Sequence, residues 1–156
     1  MTQKVEISKN ILEEIHREAV DNKKKNMETK GYLFGQYKKD EDSIEVISKH
    51  ELGPVRNYSG GAFIDDLVNI FRGCKIHDEG REFIDNVKEE SGGIFYSTKL
   101  SETEESGLLE MDLISYRIAP TFRLFDHGAF ITYSSEEDRI KGYNEIGNEI
   151  KIETLE

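Results

Sequence analysis

Hydrophobic positions change period several times along this chain, and the changes mark its elements. Val5 to Ile7 alternate as a short strand, expected at a sheet edge. Ser8 then stands as an N-cap before Ile11, Leu12, Ile15, Ala19 and Val20, the stripe of an amphipathic helix whose outer face carries Glu13, Glu14, Arg17 and Glu18. That helix should fade into the basic loop Asn22-Lys23-Lys24-Lys25-Asn26. Gly31 to Tyr37 and Ser43 to Ser48 form two strands joined by the charged turn 38–42, and Gly53-Pro54 opens a loop. Leu67, Val68, Ile70 and Phe71, then Phe83, Ile84 and Val87, have helical spacing in one broken helix or two. Gly92 to Ser97 is a short apolar strand. Lys99 to Glu105 is a polar loop, Ser106 caps a helix through Ile114, and Pro120 ends it. Strands are expected at 122–125, 129–133, 139–144 and 149–153, with turns at 126–128 and 146–148.

This mixed order predicts one α+β domain over residues 1–156, with α/β-like layering: a central mixed, twisted sheet flanked by helices. The length suffices for a core without staples. Charge sharpens the picture. Lys plus Arg number 21 against 32 Asp plus Glu, a net charge of −11. So acidic a chain repels phosphate backbones and anionic lipid, so nucleic acid and membrane surfaces are poor partners, and a protein with a basic patch is a better one. Cys74 is the only cysteine, which leaves no internal disulfide and no paired-cysteine metal site. No apolar leader or membrane-length run is seen, and the expectation is a soluble cytoplasmic protein.

The four histidines, His16, His50, His77 and His127, do not pair at ligand spacing, and each is expected to be structural. Cys74 and His77 would share a helix face, yet a plain thiol is the expectation. Ser91-Gly92-Gly93 lacks the ending of a phosphate loop. The acidic run 101–106 lacks the calcium-loop spacing and glycine, and is expected to be a solvated loop.

Against that background one segment stands out. Glu28-Thr29-Lys30-Gly31-Tyr32-Leu33-Phe34-Gly35 resembles the E-x-x-G-x-L-x-G stretch of the JAB/MPN (JAMM) zinc-isopeptidase family. The order of elements around it is similar to that family from end to end, which implies the JAB/MPN (cytidine-deaminase-like) architecture. The family's second signature is H-x-H-x7-S-x2-D. In active members its two His and its Asp hold Zn²⁺ and leave the fourth position to water. The metal polarises the scissile carbonyl, the glutamate acts as general base, and the serine helps position water or oxyanion.

Carried over position by position, the resemblance places Glu28 at the base and Ser106 at the serine, both vestigial. Tyr96 and Thr98 stand where the two histidines belong, and Leu109 where the aspartate belongs. Leucine has no lone pair to give, and neutral hydroxyls are poor zinc ligands. Without metal, water stays near pKa ~16 rather than ~7, a gap that one glutamate cannot close. The resemblance therefore implies no metal and no cofactor. It implies a pseudoenzyme that binds or assembles: with an active sister JAB/MPN domain, a ubiquitin-like protein, or a second copy of itself. The first helix, the 74–90 region and an exposed strand at 149–153 are the candidate contact surfaces. Two alternatives stay open. A rearranged metallo-isopeptidase or peptidase site would use His77, Asp112 and Glu28, with zinc. A small-molecule or peptide sensor would use the emptied site as a pocket lined by Tyr32, Phe95 and Tyr96.

Overall fold

The computed structural model describes residues 1–25, 27–56, 63–99, 121–134 and 139–156. Among these residues, seven strands and two helices run in the order β1 (Lys4–Ser8), α1 (Lys9–Lys24), β2 (Met27–Lys38), β3 (Ser43–Arg56), α2 (Phe63–Asn86), β4 (Ser91–Lys99), β5 (His127–Ser134), β6 (Arg139–Asn144) and β7 (Glu149–Leu155). The expected helix after Ser106 lies outside the described residues.

Ser8 caps α1 as its residue type predicts: its hydroxyl accepts the Ile11 N–H at 3.3 Å. The helix continues through Lys23 and Lys24 before Lys25 closes it. Basic residues in a last turn suit the negative end of the helix dipole, so the expected fading at Asn22 comes two residues late.

The strands are ordered β1-β3-β2-β4-β5-β6-β7, and β7 returns to pair with β1. The sheet is mixed as expected, with β1–β3, β1–β7 and β4–β5 parallel and the other pairs antiparallel. It also closes into a barrel, which the layered expectation did not contain. Closure removes edges. Strand β1 is therefore not an edge, and Glu149–Leu155 is engaged with β1 over five residue pairs rather than left exposed for a partner.

Both faces of the sheet are apolar. On one, α1 lays Ile15 and Ala19 against Val5, Ile7, Leu33, Ile94, Tyr96 and Ile131, all buried. On the other, α2 brings Ile76 and Phe83 onto Tyr32, Phe34 and Phe125. Phe34 centres this second core, with ring centroids 5.0 Å from Phe125 and 5.6 Å from Phe83. The α2 segment is one continuous helix.

Two expected breaks are absorbed into strands. β3 passes through Gly53-Pro54 instead of stopping at Ser48. Gly53 adopts φ +110° at a bulge, since Lys30 faces Gly53 while Gly31 faces Glu51. Pro54 is tolerated because β1 pairs with residues 43–45, so that among the described residues the far end of β3 is laddered to β2 alone. Likewise, β5 begins at His127, where a turn was expected. The expected strand at 122–125 is a single 3-10 turn, Phe122–Leu124.

Candidate functional site

Tyr96 and Thr98, expected at the positions of two histidine ligands, are built into the α1 face. Tyr96 lies on β4 opposite Gly31 of β2 and Ile131 of β5, and is 1% exposed. A Cβ on Gly31 would fall 2.5 Å from its hydroxyl oxygen and 2.6 Å from Cζ. The glycine of the 28–35 motif is thus the space into which the Tyr96 ring fits. The phenol donates to Glu18 Oε2 at 3.4 Å, and Lys49 pairs with the other Glu18 oxygen. Burial, together with the charges of Glu18 and Glu51, pushes the Tyr96 phenol far above its ordinary value. It is a neutral donor, the opposite of a metal-binding phenolate. Burial also raises Glu18 despite Lys49 beside it.

Thr98, two residues on, points to the same side by strand alternation. Its hydroxyl accepts the Thr29 N–H at 2.8 Å, and the Thr29 hydroxyl accepts Asn22 Nδ2 of α1 at 2.5 Å. Thr98 therefore continues the β4-to-β2 ladder where backbone pairing ends, at Lys30 and Ser97.

Glu28 does not join them. Thr29 faces α1, so alternation puts Glu28 and Lys30 on the opposite side, where their side chains pair at 3.9 Å. Tyr32 and Phe95 also lie on that opposite side, edge-to-face at 5.3 Å in the aromatic core beneath α2. Burial alone pushes the Tyr32 hydroxyl up to about 12. The structure thus does not bring Tyr32, Phe95 and Tyr96 into one pocket: Phe95 and Tyr96 are neighbours on a strand and point to different faces. Ser106, Leu109 and Asp112 lie outside the described residues. His77 sits on α2 with Nδ1 3.3 Å from Thr121 Oγ1. Among the described residues, no three His, Cys, Asp or Glu side chains converge to hold a metal ion.

A different constellation lies on the α2 face. His50 of β3 stacks on Phe34 with ring centroids 3.9 Å apart. Its Nε2 is 2.8 Å from Ser48 Oγ, and its Nδ1 contacts Glu79 Oε2 of α2 in a short hydrogen bond. A cavity of about 420 Å³ opens beside it, walled in part by His50, Arg72, Lys75, Ile76 and Glu79. The sequence pattern ends this strand at Ser48 and gives His50 no role beyond a structural one, whereas β3 continues through it. The available signal was Ser-x-His: in a strand, that spacing puts both side chains on one face.

No family model matches the chain, and no curated protein matches it. Its structural neighbours are JAB1/MPN domain proteins. One solved structure, described as a JAMM metalloprotease-like zinc site in the proteasome and signalosome, is similar over 100% of both chains at 16% identity, with a TM-score of 0.46. Another, a JAB1/MPN domain protein from Archaeoglobus fulgidus, is similar over 99% of this chain and 98% of that one at 15% identity, also with a TM-score of 0.46. No helix among the described residues is long and apolar enough to cross a membrane.

Proposed function

We propose that this chain is a JAB/MPN-like domain that holds no zinc at the family's metal position and acts by binding another protein. One observation carries the proposal. The residue at the first histidine position, Tyr96, is committed to the core: it fills the notch over Gly31 and hydrogen-bonds to α1. A metal there would need the ring to leave, and Glu28 would have to cross to the other face of its strand before it could act as base on a metal-bound water. The net charge of −11 favours a partner with a basic surface, such as a sister JAB/MPN domain or a ubiquitin-like protein carrying one.

Metal analysis of protein purified without chelator tests the first half. Substoichiometric zinc and no chelator-sensitive cleavage of a ubiquitin isopeptide bond are expected, and one zinc per chain would overturn the reading. Titration calorimetry against ubiquitin-like proteins and intact JAB/MPN domains tests the second. Binding that weakens as salt rises is expected, since the attraction is electrostatic.

A further inference from the structure

We propose that Ser48, His50 and Glu79 form a metal-independent nucleophilic centre, on the face of the sheet opposite Tyr96, that cleaves small acyl esters. A nucleophilic serine requires a base within hydrogen-bond reach, and the base requires a third group to orient it. All three are here. Ser48 and His50 are two residues apart on β3, which brings Oγ to 2.8 Å from Nε2. An ionised carboxylate only accepts hydrogen bonds, so Glu79 fixes the imidazole proton on Nδ1 and leaves Nε2 free to accept from the Ser48 hydroxyl.

The imidazole is also held in place. Phe34 stacks on one side of the ring, and α2, anchored one turn earlier by buried Ile76, delivers Glu79. The His50 side chain keeps 18% of its surface exposed and Glu79 keeps 34%, and both wall the 420 Å³ cavity. The same wall carries Lys49, Arg72 and Lys75 against Glu51 and Glu79, a small positive excess that slightly favours an ester with a negative group.

The step balances without a co-reactant beyond water. Ser48 Oγ attacks the ester carbonyl while His50 Nε2 takes the hydroxyl proton. The acyl–oxygen bond to the alcohol breaks, and the same proton goes to the departing alkoxide. Water then attacks the acyl-serine, giving a proton to Nε2, and Ser48 Oγ leaves and recovers it.

The test is an alkyl fluorophosphonate, which forms an Oγ–P bond and loses fluoride at an activated serine. Mass spectrometry should find the label on Ser48, at a rate unchanged by chelator. That insensitivity separates this centre from any zinc site, so this inference can fail while the zinc-free reading stands, and the reverse. Ser48→Ala should not label and should lose turnover of p-nitrophenyl succinate. His50→Gln should label at least about 100-fold more slowly, the usual worth of a general base. If His50→Gln does not fold, Glu79→Gln serves, with labelling at least about tenfold slower. An unlabelled wild type, label only on another serine, or an undiminished rate in a folded His50→Gln or Glu79→Gln protein would overturn the proposal.

Discussion

The fit of Tyr96 over Gly31 makes a quantitative demand on stability. Gly31→Ala adds one methyl group to the central strand β2. That carbon would meet Tyr96 Oη at 2.5 Å, Tyr96 Cζ at 2.6 Å and the His50 carbonyl oxygen at 2.7 Å. All three distances lie inside van der Waals contact. Overpacking of a core by one methyl costs about 1–3 kcal/mol, and β2 is pinned by β3 and β4 on both sides, so the upper end, about 3 kcal/mol, is expected. Tyr96→Leu alone shortens the side chain and opens a cavity, at about 2–4 kcal/mol. In the double variant two of the three clashes disappear and only the His50 carbonyl remains. The double variant should therefore be at least about 1 kcal/mol more stable than the sum of the single losses predicts. The chain has no tryptophan, so urea unfolding followed by far-UV circular dichroism is the assay. Gly92→Ala is the control. Its Cβ would meet Ile44 at 2.7 Å, four residues along β4 from Tyr96, and its cost should add to that of Tyr96→Leu within about 0.5 kcal/mol. Additive losses for Gly31→Ala and Tyr96→Leu would refute the argument that the motif glycine exists to admit this ring.

The same site makes other measurable demands. Thr98→Val removes the acceptor of the buried Thr29 N–H and should cost about 1–3 kcal/mol in urea unfolding; a loss below about 0.5 kcal/mol would mean that the donor finds another partner. Glu18 has its carboxyl raised by burial, so the folded state holds its proton after the unfolded chain has lost it, and stability falls as pH climbs from about 4.5 through the folded value. Glu18→Gln should flatten the stability curve in that window, and an unchanged slope would count against the assignment. Tyr32 behaves the same way at the alkaline end. Its hydroxyl, raised to about 12, should withdraw roughly 2–3 kcal/mol between pH 10 and 12, and Tyr32→Phe should abolish that share. The fall due to Tyr37, also raised to about 12 by burial and its 2.6 Å bond to Asp42, should persist.

Local pattern by itself determined much of this protein. The Ile11-to-Val20 stripe and Ser8 placed α1, and alternation placed most of the strands, because helix and strand periods need only neighbouring residues to be expressed. The substitutions at 96 and 98 were equally legible, since a residue type can be checked without a fold. Tertiary structure decided what lies beyond that reach. Gly53-Pro54 looks like a loop until a bulge and an unpaired strand flank accommodate it, and Glu149–Leu155 looks like an edge until β1 covers it. Whether Glu28 shares a face with Tyr96 depends on how β2 and β4 are registered, a non-local fact: Gly31 opposite Tyr96 puts Glu28 on the other side. His50 and Glu79 are 29 residues apart, and no period links them; only the packing of α2 against β3 does.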